Sequence, residues 1–586
     1  LTVIVTFAIV IIVFMTSDRE AETFPDRSTL EWFKIFSDTL SFLETGFMFQ
    51  IHSISEGGIC VRRLLFVVLL LTAVLLFASV EDSIVQVGRT LEKNGIKEVR
   101  YAVWGSGDPN SVLRVLGIVE AARRINDIWA KNKINVKVII RETRYELDFT
   151  QMYQEFLSKQ PLGTAGDFLV NSYVYIAPLA EEGYLLDLTP YLEKHKELLE
   201  DFFASHIEVA KYKGKIYGLP QDTEARPFYI RKDIAAKVGL DLQGLDQKVL
   251  KGEFTWFDVY EWAKKTVQLG ASQWGLIHRR GTAHPDLMQF ILVFGSKLYD
   301  PADGKLVFDK EAIYKWLTIE WVFAREKLLP SDMMAWDWAK QVHPAIVDGK
   351  TLFDIGGTWY WTEWQTKDYY TDPKTGQMRG LKPEEVEQWF YYTLFPVGEP
   401  GKKPVTLSQP FMWMVSSKAG AQNPKYSALK STYDELAFLI AAKASDPEIN
   451  AIHSIISAHL PVGKASAALL ANKEWLDKLY NLELDLDPSV KEKIAGIVKA
   501  TVNPINAKFL SDVSYMLEHT NFPPIHPMYA KLAAIFAEVV DQVLRGQMDP
   551  AKAIDYAIGK INADLDLKAS VKIINEIPKD WRFPAK

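Results

Sequence analysis

The strongest hydrophobic pattern in the chain is an unbroken run rather than a periodic one. Val61–Val80 reads VRRLLFVVLLLTAVLLFASV: Arg62 and Arg63, an apolar stretch over Leu64–Phe77, then small Ala78 and Ser79. A short positive region, an apolar run of this length and small residues behind it are the parts of a secretory signal peptide. Left uncleaved, the same run would anchor the chain to a membrane, and Leu76 is bulkier than a cut after Ala78 prefers. No cysteine ends the run, so a lipid anchor is not expected. Leu1–Met15 is a second apolar stretch, too short to span a bilayer comfortably, and the residues through Gly58 show no clear period. The expectation is a start near Val61, with 1–60 a misassigned extension, 61–80 the signal, and export to the periplasm or beyond.

Beyond the signal the pattern alternates between strand and helix. Val99–Trp104 is a short apolar strand closed by Gly105–Pro109, and a helix follows with Leu113, Leu116, Val119, Ala122, Ile125 and Trp129 three or four residues apart. Val136–Ile140 and Phe168–Val170 predict further strands, with a helix over Phe149–Leu157 between them. This order predicts an α/β fold with mostly parallel sheets covered by helices on both faces. Ligands in such sheets sit off the carboxyl ends of the strands. Trp104 to Asp108 and Asn171 to Tyr173 therefore fall at a potential site, although Gly105 and Gly107 serve equally well as plain turn formers. The far end is helical: Met528–Arg545 carries one apolar stripe, Gly546 ends it, and Asp549-Pro550 starts the last amphipathic helix.

At 586 residues, 48% hydrophobic and 24% charged, the chain is too long for one core and too apolar to be disordered. A net charge of −7 argues against a nucleic-acid partner. Cys60 is the only cysteine, which excludes an internal disulfide and a cysteine-based zinc cluster. No P-loop, G-x-S-x-G or HExxH pattern appears, and no cofactor or metal is expected. The aromatics change the picture most, with 17 Trp and 24 Tyr, seven of the Trp lying between Trp316 and Trp364. Such rings stack on the C–H faces of sugars while leaving hydroxyls free, or simply fill a large core. Trp336/Trp338 and Trp359/Trp361 are each one residue apart: extended, each pair shares a face; on a helix, they diverge.

Five ordered stretches across residues 96–565 resemble the carbohydrate-binding extracellular solute-binding proteins of bacterial ATP-driven (ABC) importers, the group that includes maltose-binding proteins. They are Asp167–Leu188, Tyr212–Asp233 (YKGKIYGLPQDTEARPFYIRKD), Ile346–Trp361 (IVDGKTLFDIGGTWYW), Leu394–Ser416 and Phe522–Asp555. The resemblance implies a two-lobed periplasmic-binding-protein fold with a hinge, a helical C-terminal extension, and ligand in the interlobe cleft. The lobes would divide as 81–221 and 394–460 against 222–393 and 461–586. A sugar or polyol ligand, the membrane permease subunits of an ABC transporter as partner and a monomeric state are implied with it.

The ligand-binding residues expected are Trp104, Asp108, Asn171, Tyr173, Asp222, Glu224, Arg226, Trp359, Trp361, Gln409 and Trp413. Trp359 matches the family's sugar-stacking tryptophan and Glu224 a hydroxyl-binding carboxylate; Asp222, Glu224 and Arg226 read equally as a hinge-stabilising ion pair. No catalytic residue is expected. A glycoside hydrolase using two of Asp337, Asp354 and Glu363, and a surface carbohydrate-binding adhesin, are the competing classes. The length of the chain hints at a roomy cleft and hence an oligosaccharide.

Overall fold

The computed structural model describes residues 79–584, apart from 107, 109–110, 146–148 and 280–284. The expectations for residues 1–60 and the apolar run, with Cys60, Gly107 and Pro109, lie outside the described residues. The described body opens on the helix Val80–Lys93, where the Ser79 hydroxyl accepts from the Asp82 amide and the Asp82 carboxylate accepts from Ser79 in return.

Nine strands build two main sheets: β1 Glu98–Ser106, β2 Lys137–Tyr145, β3 Phe168–Ser172, β4 Gly218–Asp222, β5 Phe228–Arg231, β6 Trp274–His278, β7 Thr351–Ile355, β8 Phe390–Thr393 and β9 Phe411–Val415. One lobe carries the order β2-β1-β3-β9-β4 and the other β8-β5-β7-β6. In the first, β1 runs parallel to β2 and β3, whereas β9 is antiparallel to β3 and β4. In the second, β7 is parallel to β6, and β5 is antiparallel to β7 and β8. Each sheet thus has one reversed strand, and the reason is connectivity. Every other strand points its carboxyl end at the space between the lobes; β5 and β9 enter from that space, arriving from the opposite lobe.

The connecting segments are tied together where they cross. Thr223 and Leu460 exchange backbone hydrogen bonds of 3.2 and 2.7 Å, the Thr223 and Ser408 hydroxyls lie 2.9 Å apart, and Thr406–Leu407 pairs in parallel with Thr520–Asn521. After Leu460 the chain is mainly helical, with Pro488–Thr501, Pro504–Val513, Tyr529–Leu544 and Pro550–Ala563 among its longer helices. Gly546 has a left-handed φ of 70° behind the third of these, and Asp549 caps the fourth through the Lys552 amide. Besides Thr520–Asn521, the strand Val571–Ile574 interrupts the helices and pairs with Lys305–Asp309.

The helix Leu113–Lys131 is more buried than its stripe predicts. Arg114, Val115, Ile118 and Glu120 are covered along with Leu113, Leu116 and Ile125. The cause is a second layer: the helix lies against β2 on one side and the helix Tyr426–Ala444 on the other. Among the described residues no helix is long and apolar enough to cross a membrane.

Candidate functional site

The carboxyl ends of the strands converge on a cavity of about 210 Å³. One lobe contributes Asp108, Ser111, Arg114, Phe149, Thr150, Ser172, Tyr175 and Phe411; the other contributes Arg279, Trp338, Trp359 and Glu363. Glu224, Arg226, Gln409 and His459 come from the crossing segments.

Local sequence sets the lobe-two wall. β7 runs into Gly356-Gly357, and the chain then turns into the helix Tyr360–Thr366 with Trp359 just before its first residue. A Cβ on Gly357 would lie 1.7 Å from the Trp359 ring, and one on Gly356 would lie 2.0 Å from the Tyr360 ring. The two glycines are the space into which these rings fold back. Because residues 360 onward are helical, Trp359 and Trp361 diverge: Trp359 faces the cavity, whereas Trp361 is buried, stacked 4.3 Å from Phe509 with its indole N–H on Asn506 at 2.9 Å. Trp338 lines the cavity from a separate turn, edge-on to His343 and Tyr360, while the Trp336 indole donates to Asp332 at the surface.

The floor is a buried polar knot. Arg114 Nε donates to Asp222 at 2.8 Å, its Nη2 lies 3.1 Å from His459 Nε2, and its guanidinium covers the Phe411 ring at 3.8 Å. A guanidinium only donates, so His459 Nε2 accepts and its Nδ1 carries the proton, donating to Ser457 at 2.8 Å. His453 Nε2 donates to Asp222 at 3.0 Å. Burial would raise the Asp222 carboxyl, but the Arg114 guanidinium and the N–H donated by His453 outweigh it and hold the group far below the usual carboxylate range. Burial keeps both imidazoles neutral. Asp222, His453 and His459 bring three ligand atoms within 4.8 Å of one another. A metal ion does not fit among them, because the Arg114 guanidinium already donates to both Asp222 and His459.

Above the floor Arg226 meets Glu224 at 2.5 Å, with both side chains buried. Its guanidinium lies 4.7 Å from the Trp359 ring, which also runs parallel to His459 at 5.7 Å. The Gln409 amide N–H donates to Glu224 at 3.2 Å and its side chain to Ser172 at 2.9 Å. Arg279 stands between two indoles, 4.2 Å from Trp338 and 5.3 Å from Trp359. On the outer side Glu363 meets His343 and Lys367, each at 3.0 Å. Burial would push the Glu363 carboxyl up, yet these neighbours hold it down at about 2.

Of the residues expected from sequence, Asp108, Glu224, Arg226, Trp359 and Gln409 are brought together here. Asp222 lies beneath them in the floor. The others are placed elsewhere, for steric reasons visible in the strands. Trp104 points to the opposite side of its strand and packs edge-on to Phe156. Asn171 donates to the Phe149 carbonyl and accepts from the Ser172 amide, fixing the loop. The Tyr173 hydroxyl donates to the Pro523 carbonyl. Trp413 is core, covering Gly117. Arg114, Arg279 and Phe411 were not singled out from sequence. An arginine in the first turn of a helix whose opening residues Leu113–Val119 are otherwise apolar, directly after a strand's exit loop, is the one signal available for Arg114.

Residues 122–430 match the family of bacterial extracellular solute-binding proteins. The fold is similar to maltose-bound MalE3 of T. maritima, at 16% identity over 79% of this chain and 99% of that one, with a TM-score of 0.55. It is also similar to the GacH receptor of Streptomyces glaucescens, at 15% identity over 81% and 100% of the two chains (TM-score 0.55). An ABC substrate-binding protein of Listeria monocytogenes in complex with cycloalternan matches at 18% identity over 80% and 98% (TM-score 0.54).

Proposed function

The chain belongs to the bacterial extracellular solute-binding proteins, and from that premise we propose that its interlobe cleft captures a sugar or polyol and delivers it to the permease of an ABC importer. The observation that carries this reading is the pairing of aromatic faces with buried, preorganised polar groups. Trp338, Trp359, Phe411 and Tyr175 offer flat apolar surface, and Glu224, Arg226 and Gln409 offer planar hydrogen-bonding groups. A hydroxyl-rich ring needs both, and the polar groups are worth most where water is excluded. The structural relatives described with maltose and cycloalternan share the two-lobed arrangement.

The carboxylates argue against hydrolysis. Each of the three lining the cavity is held by a cation: Asp108 by Lys367, Glu224 by Arg226 and Glu363 by Lys367. A glycosidic general acid needs a raised pKa, and Glu363 is held in the opposite direction. Asp337 caps the turn that begins at Trp338, and Asp354 is buried in β7. The protein acts as a monomer and is exported through the segment 61–80; N-terminal sequencing of the secreted form checks the latter, and a mature protein still carrying residues 18–50 contradicts it.

The test is a thermal-shift screen over saccharides and polyols, followed by small-angle scattering. A binder raises the Tm, by mass action on the folded state, and reduces the radius of gyration as the lobes close. A ligand that stabilises without compaction favours a rigid adhesin, and release of monosaccharide from an oligosaccharide favours an enzyme.

A further inference from the structure

The rim of the cleft carries an ion pair between the lobes. Asp108, on the exit loop of β1, lies 3.2 Å from Lys367 Nζ, at the end of the helix Tyr360–Thr366 in the other lobe. The same ammonium is 3.0 Å from Glu363. Asp108 and Glu363 both line the cavity, so the bridge runs along its wall from one lobe to the other. Burial would lower the Lys367 pKa, but the two carboxylates outweigh it, so its ammonium stays charged at neutral pH.

The remaining walls do not retract easily. Arg114 is fastened to Asp222 and His459 and covers Phe411; Arg226 is fastened to Glu224 and lies against Trp359. What they enclose is about 210 Å³, less than the roughly 300–1,000 Å³ of pockets that take drug-sized ligands. A second sugar ring extended past the rim would have to part Asp108 from Lys367 and leave a partly desolvated carboxylate without its cation.

We propose that the cleft holds one sugar ring, or an acyclic polyol of similar size, and that the Asp108–Lys367 bridge excludes longer saccharides. The proposal rests on the reading of the cleft as a sugar site, and it is the reverse of the oligosaccharide that chain length suggests. Asp108 is on this account a specificity-determining residue, acting through the length of the ligand rather than through any one hydroxyl.

The experiment is calorimetric titration of the intact exported protein with D-glucose, D-tagatose and ribitol against maltose and maltotriose. The expected result is that the tightest single-ring or polyol ligand binds at least about tenfold more tightly than maltotriose, a difference of about 1.4 kcal/mol. In Asp108→Ala that ratio shrinks by about tenfold or more, and Asp108→Glu, which can still reach Lys367, keeps it. Lys367→Met gives a second reading of the same bridge should Asp108→Ala melt early. Maltotriose binding as tightly as a single ring in the unaltered protein overturns the size limit and leaves the sugar reading standing. An unchanged ratio in both variants overturns the role of the bridge. Failure of every saccharide and polyol to bind overturns the sugar reading and this proposal together.

Discussion

The cleft between the strand ends and a second, larger crevice differ in how they treat their polar groups. The crevice, walled by Glu208–Lys213, Tyr299 and Phe522–Met528, encloses about 840 Å³ against the cleft's 210 Å³. Its charges pair at the surface: the Lys211–Glu208 and Lys213–Glu181 pairs are solvent-washed, with 66% of the Lys213 side chain exposed. In the cleft, Arg226 and Glu224 keep 1% and 5% of their side chains exposed. An exposed pair is worth little because water competes for both partners. A buried group already stripped of water gives a ligand hydroxyl a hydrogen bond with no such competitor. The smaller cavity has the chemistry, and volume is a poor guide to which opening binds.

The largest effect that sharpens this contrast is on the floor. Arg114→Ala leaves Asp222 buried without its main cation, and the expected loss is about 3–5 kcal/mol of folding stability in a denaturant titration. A loss within 1 kcal/mol, on the order of a surface substitution, would mean that the knot is not holding the cleft. Next is the wall: Glu224→Gln removes the Arg226 ion pair and a charged acceptor, and sugar affinity is expected to fall by about 1.5–3 kcal/mol in calorimetry. Affinity unchanged by this substitution removes Glu224 from the ligand's reach.

A smaller effect comes from pH. His195, His206, His343, His453, His459 and His526 are each held below the ordinary imidazole range, with burial the first cause, and His206 falls to about 4. Each is neutral when folded and protonates when unfolded. The stability they contribute is present above about pH 6.5 and is lost progressively as the pH falls below it. Asp167 runs the other way. Burial pushes its carboxyl up to about 6, so its contribution is full below about pH 3.9 and is lost as the pH rises through 6. Burial also raises the Asp434 carboxyl, but six imidazoles oppose these two carboxyls, and melting curves are expected to shift to lower temperature between about pH 7 and about pH 5. A Tm that rises over that interval contradicts the assignment of neutral buried imidazoles.

The alternation of strand and helix made the α/β class legible, and the signature motifs located the turn that carries Glu224 and Arg226 as well as the Gly356-Gly357 turn before Trp359. Side-chain direction was not legible. Trp104 and Trp413 lie on strands, where one residue of register sends a ring into the core or out of it. Trp361 is lost to the core by the onset of a helix at Tyr360, which a two-residue spacing cannot announce. Arg114 and Phe411 meet through a fold that brings them together from nearly 300 residues apart in sequence, with no local signal at either position. His459 likewise carries no local signal of its place in the floor, and the guanidinium seated against it leaves no room for a metal ion there.

The central claim, that the small cleft and not the large crevice takes the ligand, is tested most directly by titrating two variants side by side with the tightest-binding sugar. Trp359→Ala in the cleft is expected to weaken binding by about tenfold or more, while Tyr299→Ala in the crevice changes it by less than about twofold, both proteins remaining folded. Unchanged affinity in Trp359→Ala together with a loss in Tyr299→Ala would contradict the account.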